Sequence, residues 1–162
     1  MNQRGTKEAA DRADSDARIS REFDFPREIV FRMLTDAKKA VKVWGPEGSV
    51  KLVFELDPRP GGAINIHDHY QGKTAVTTGT ILEFVAPERL VFRSITTPAE
   101  GTAPWEALQS VTCEELAGKR TRVTVQVKVL ATGSFPGGVE SLEEGFRGGW
   151  GETFDMLDRA MR

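Results

Sequence analysis

Cysteine is nearly absent from this chain of 162 residues: Cys113 is the one thiol, so no intramolecular disulfide can form. A lone cysteine in an apolar, strand-like run reads as a small buried residue rather than a nucleophile, and it suits a reducing compartment. Long hydrophobic runs are missing too. No stretch approaches the ~20 apolar residues that cross a bilayer, and Met1 to Ala17 lacks the hydrophobic centre of a signal peptide. The expectation is a cytoplasmic protein with no membrane insertion. Neither sign of charge dominates: 22 basic against 24 acidic residues, interspersed, give a net charge of -2 and no footprint for nucleic acid. A phosphate-binding loop, a dinucleotide-type glycine cluster between strand and helix, and a Ser-x-Gly elbow are all missing. This argues against a conventional hydrolase, kinase or dehydrogenase and implies no cofactor.

What is present is patterned for one domain. At this length a single core buries roughly 70% of the unfolded surface. Met1 to Ala17 is charged and poor in large apolar residues, so it reads as a mobile tail, and residues 18–162 form the domain. Arg18 to Phe25 alternates as a first strand, and Pro26 opens a helix with Ile29, Val30, Met33 and Leu34 on its inner face. A second short helix runs from Asp36 to Lys42. Period two then takes over. Leu52, Phe54 and Leu56 alternate with Lys51, Val53, Glu55 and Asp57, and Ala63 to Tyr70 returns after a Pro-Gly turn. Thr77 to Val85 with Arg89 to Ile95, and Trp105 to Leu116 with Arg120 to Leu130, give two further hairpins, separated by a loop from Thr96 to Pro104. Val123, Val125, Val127 and Val129 form the clearest half-buried strand.

The chain closes on an amphipathic helix predicted from Ser141 to Met161. Leu142, Phe146, Trp150, Phe154, Leu157 and Met161 stack into one apolar stripe, with Arg147, Gly148, Gly151, Asp155, Asp158 and Arg159 opposite. Ser141 followed by Glu144 has the form of a capping box. Gly145, Gly148, Gly149 and Gly151 each cost roughly 1 kcal/mol relative to Ala, so tertiary burial must hold this helix. The glycines either let the helix approach its neighbours or leave room for a ligand beside Phe146 and Trp150. The order of elements is that of an α+β domain with the last helix packed on one face of an antiparallel sheet.

Seven motifs in register carry a resemblance: Phe25-Pro26-Arg27-Glu28-Ile29-Val30-Phe31, Thr35-Asp36, Trp44-Gly45-Pro46-Glu47-Gly48, Asp57-Pro58-Arg59-Pro60-Gly61-Gly62, Gly79-Thr80-Ile81-Leu82-Glu83, Pro87-Glu88-Arg89-Leu90-Val91-Phe92, and Gly149-Trp150 to Leu157. Together they resemble the bacterial proteins similar to the activator of heat-shock protein 90 ATPase, within the START-like (SRPBCC, helix-grip) superfamily, from about Ile19 to the C-terminus. The resemblance implies a curved seven-stranded antiparallel sheet around the long C-terminal helix, with two short helices after strand one and a cavity between helix and sheet. Members of the wider superfamily bind lipids, sterols, polyketides or plant hormones there, and some cyclise or dehydrate polyketides.

Candidate ligand-cavity residues are the large aromatics expected to face the helix, Trp44, Tyr70, Phe92, Trp105, Phe146 and Trp150, together with Asp68. The aromatics either line a pocket or fill the core. His67 and His69, the only histidines, share one face of a strand, but no further histidine or cysteine pair completes a zinc set, and no metal is expected. Asp68 either faces inward with Ile64, Ile66 and Tyr70 or, if the strand bulges or ends there, is wet. Asp57 and Arg59 beside Gly61-Gly62 read as a charged turn. Three readings of function follow: a binding module for a small hydrophobic, lipid-like or polyketide-like molecule; a cyclase or dehydratase using Asp68 or Tyr70; and an interaction protein acting on a chaperone ATPase. No catalytic residue is assigned. A homodimer through exposed sheet edges is a further expectation.

Overall fold

The structure is a computed structural model that describes residues 17–98 and 102–162. The expected tail, up to residue 16, lies outside the described residues. Ala17, assigned to that tail from sequence, is buried and opens β1 (Ala17–Phe23). The helices α1 (Arg27–Thr35) and α2 (Ala37–Ala40) follow. The carbonyl of Pro26 accepts from the amides of Ile29 and Val30, and the Asp36 side chain caps α2 by accepting from the Lys38 amide at 3.0 Å. Six strands then run as β2 (Val50–Leu56), β3 (Ala63–Tyr70), β4 (Lys73–Val85), β5 (Arg89–Thr97), β6 (Trp105–Leu116) and β7 (Arg120–Ala131). The chain ends in α3 (Gly138–Met161).

All neighbouring strands are antiparallel, in the order β1-β7-β6-β5-β4-β3-β2. This is the helix-grip arrangement: a meander whose first strand returns beside the last, with one long helix on the concave face. Strand β4 begins at Lys73, four residues earlier than the alternation predicts, because it pairs with β3 to the hairpin tip, Tyr70 opposite Lys73. Val123, Val125 and Val127 of β7 face α3, where Phe154 and Leu157 are fully buried with Phe23, Val30 and Leu34.

Two expectations about α3 are corrected. The helix starts at Gly138, three residues before Ser141, so Ser141 and Glu144 form no capping box. Gly137 and Gly138 adopt φ of 91° and 76°, which only glycine takes readily, and this bends the crossover into the helix a turn early. Gly151 does not face away from the fold: a β-carbon there would touch Ile19 Cδ1 of β1 at 3.8 Å. The helix packs on β1 and β7 and leans to that end of the sheet, leaving its N-terminal half standing off the strands β3 to β6.

A candidate ligand cavity beneath the C-terminal helix

The space under the N-terminal half of α3 is a cavity of about 430 Å³. Its floor comes from alternate residues of four strands, which period two brings to one face: Ile64, Ile66 and Asp68 of β3, Ala75 and Thr77 of β4, Phe92 of β5, and Trp105 and Gln109 of β6. The helix supplies Leu142, Gly149 and Trp150. All seven cavity residues expected from sequence, Trp44, Asp68, Tyr70, Phe92, Trp105, Phe146 and Trp150, line it. Gly145 and Gly149 form part of the same wall, and a β-carbon on Gly149 would meet no neighbouring atom within 4 Å. Close helix approach therefore does not account for Gly149, whereas it does for Gly151.

The aromatics divide into two groups. Trp44 packs against Phe92 at 5.5 Å and Trp150 at 6.0 Å between ring centroids, and Trp150 continues to Phe154 at 6.0 Å. These rings belong to the core on one side and to the cavity on the other. Trp105 makes an edge-on pair with Phe135 at 5.2 Å in a separate part of the lining. Tyr70 stands at the β3–β4 hairpin tip beside Lys73 and is 37% exposed, so it belongs to the rim rather than to the interior.

Two polar side chains of this wall, Gln109 and Asp68, are fixed by hydrogen bonds or ion pairs to residues behind it. The indole N–H of Trp150 donates to Gln109 Oε1 at 2.8 Å, and Gln109 Nε2 donates to Ser94 Oγ at 3.0 Å. Indole only donates, so the amide oxygen must face it, and the orientation of Gln109 is determined. The second is Asp68. Strand β3 pairs without interruption through Tyr70, so Asp68 keeps the inward parity of Ile64 and Ile66 and is not released by a bulge of its own strand. Its carboxylate faces Lys51 Nζ at 2.9 Å, and the two side chains are 16% and 9% exposed. Ser49 Oγ donates to Asp68 Oδ1 at 3.1 Å and accepts from Lys51 Nζ at 2.6 Å.

A bulge in β2 breaks the alternation expected for Leu52, Phe54 and Leu56: Lys51 pairs with Asp68 and Val53 with His67, leaving Leu52 as the extra residue, 58% exposed. Sequence reasoning also passed over Gln109, although its place between Ala107 and Val111 on an inward-facing set carried the signal. Gly45 closes the Asp68 corner. At φ 91°, a β-carbon there would stand 2.9 Å from Lys51 Nζ and 3.2 Å from both Asp68 carboxylate oxygens.

The remaining candidates lie elsewhere. His67 and His69 have the parity opposite to Asp68, on the outer face, where His69 Nδ1 shares a hydrogen bond with Thr74 Oγ1 at 3.0 Å. Among the described residues no group of three His, Cys, Asp or Glu side chains converges as a metal site would require. Asp57 accepts from Arg59 Nε at 2.6 Å within the β2–β3 turn, away from the cavity lining. No described helix is long and apolar enough to cross a membrane. Cys113 is a buried residue of β6, on the same face as Ala107 and Val111, and burial pushes its thiol from 9.0 up to about 12. The folded state thus holds this proton more tightly than the unfolded chain, so stability is fully present below about pH 9 and falls as pH rises from there toward 12. The thiol should stay unmodified by an aromatic disulfide reagent at pH 8 and react stoichiometrically once denaturant is added. Rapid labelling of the native protein would contradict its burial.

A family model described as Activator of Hsp90 ATPase homolog 1-like protein matches residues 24–162. Among solved structures, protein CV1439 from Chromobacterium violaceum is 26% identical with a TM-score of 0.70, over 88% of this chain and 93% of that one. Protein NE0264 from Nitrosomonas europaea is 24% identical with a TM-score of 0.73, over 92% and 95%. Protein Ms6760 from Mycobacterium smegmatis is 20% identical with a TM-score of 0.75, over 93% of each chain. The last two likenesses concern the fold alone. Comparison with curated proteins gave no match.

Proposed function

The chain belongs to the Activator of Hsp90 ATPase homolog 1-like family, and from that premise we propose that it is a START-like binding module taking a small hydrophobic molecule, lipid-like or polyketide-like, between α3 and the sheet. One observation carries the reading: a cavity of about 430 Å³ walled by tryptophan, phenylalanine and isoleucine, with a few polar side chains held in fixed orientation. Ligand sites are of this kind, roughly 300–1,000 Å³, mainly apolar, with sparse polar groups that set orientation. A core packed to its normal density leaves few voids larger than a water molecule.

The open wall at Gly149 makes the test direct. N-phenyl-1-naphthylamine, a neutral apolar dye, should bind with about one-to-one stoichiometry and brighten on binding. Gly149→Phe should reduce that affinity tenfold or more by filling the cavity, while its thermal midpoint stays level or rises, since a glycine leaves the helix interior. A dye that does not bind, or that binds the variant equally well, would overturn the reading. Native mass spectrometry of gently purified protein would then identify any molecule carried from the cell.

A further inference from the structure

The hydrogen-bond inventory at Asp68 is asymmetric. Oδ1 receives Ser49 Oγ at 3.1 Å and faces Lys51 Nζ at 2.9 Å, whereas no described residue donates a hydrogen bond to Oδ2. Asp68 and Gly45 both line the cavity, so the carboxylate presents an acceptor without a described donor beside the ligand space. We propose that the ligand carries a hydroxyl group, phenolic or alcoholic, which donates to Asp68 Oδ2 while its apolar body lies along Trp44 and Trp150. This deepens the binding-module reading and rests on it.

Charge decides among the donors and acceptors a ligand might offer. An ionised carboxylate only accepts hydrogen bonds, so an ether, ketone or ester at this position would set lone pair against lone pair. A ligand carboxylate would meet like charge. A ligand ammonium would meet Asp68 with its charge already matched by Lys51, which stands behind the lining, and with Lys73 in the lining itself. A hydroxyl donates without bringing charge. Its hydrogen bond to a carboxylate is of the charge-assisted kind, roughly twice as strong as one between neutral groups. The pair Lys51–Asp68 thereby holds an acceptor in the wall at little net local charge.

Equilibrium dialysis with 2-naphthol and 2-methoxynaphthalene, which share the apolar body and differ in the hydroxyl proton, tests this. The native protein should bind 2-naphthol about tenfold or more tightly than the ether, the range expected for a hydrogen bond to a charged group. Two variants should reduce that preference to within about twofold. Asp68→Asn replaces the free acceptor by an amide donor, and Lys51→Met with Asp68→Leu removes both charges together so that neither is left unpaired. Thermal unfolding identifies which variants are folded, and either one suffices. Equal affinity for the two probes in the native protein, or a preference that survives in a folded variant, would overturn the hydroxyl assignment. In both of those results the cavity reading stands if N-phenyl-1-naphthylamine still binds and Gly149→Phe still blocks it. Failure of the native protein to bind any of the three probes would overturn the cavity reading, and the hydroxyl assignment with it.

Discussion

Phe154→Ala should lower stability by about 3–5 kcal/mol, the range for deleting a buried phenylalanine, and lower the thermal midpoint by roughly 10 °C. Phe154 is fully buried where α3 meets β1, edge-on to Phe23 at 5.7 Å and next to Trp150 at 6.0 Å. The cost is large because the helix has little intrinsic stability. With glycines at 145, 148, 149 and 151 it depends on its buried stripe, and Phe154 with Leu157 is the part of that stripe lying wholly in the core rather than over the cavity. Chemical denaturation gives the number, and Phe146→Ala is the control. Phe146 is only partly buried at the cavity wall, so its loss enlarges existing space and should cost distinctly less. Equal losses at the two positions would mean that the cavity end of the helix is packed as tightly as the other.

The second large effect is expected at Lys51. Lys51→Met removes the cation from a pair whose members are 9% and 16% exposed and leaves the Asp68 carboxylate with Ser49 as its one donor among the described residues. Breaking a fully buried pair costs about 3–5 kcal/mol, and the opening of this corner to the cavity places the loss nearer 2–3 kcal/mol. Adding Asp68→Leu should restore stability to within about 1 kcal/mol of the native protein, because the double variant carries no stranded charge. A thermodynamic cycle from urea denaturation separates the alternatives. Strictly additive losses would show that the two side chains do not depend on each other. The surface pairs Arg159–Glu47 and Arg162–Asp158 should show no comparable coupling, being exposed on both sides.

These residues also mark how far the sequence could be read. The hairpins were legible from their alternation and the stripe on α3 from its steps of three and four, whereas the seven-stranded sheet around the helix was implied by the family resemblance. Whether Asp68 faces inward was left open, and the uninterrupted pairing of β3 decides it. The seven residues proposed for the cavity therefore came together around one space. Lys51 was not legible. A bulge changes parity without changing composition, and Leu52, an apolar residue in an apolar run, gives no sign that it is the unpaired one. The start of α3 was misread for a different reason. Ser141 and Glu144 offer a plausible cap, but two adjacent glycines at positive φ set the helix going earlier, and their sequence alone, Gly137-Gly138, is equally suited to a loop.

The Leu52 bulge also bears on alignment. Strand β2 is an edge, held by β3 alone, and an edge strand can slip where its side chains tolerate it. In an unbulged alignment of the same residues, Leu52 would stand opposite Asp68 and Lys51 would turn to solvent, leaving a carboxylate against hydrocarbon. That arrangement forfeits the compensation of a largely buried charge, so the ion pair favours the bulged register over the unbulged one. The contact that sets the charge of the cavity corner is thus also the one that rewards the bulged register at the sheet margin.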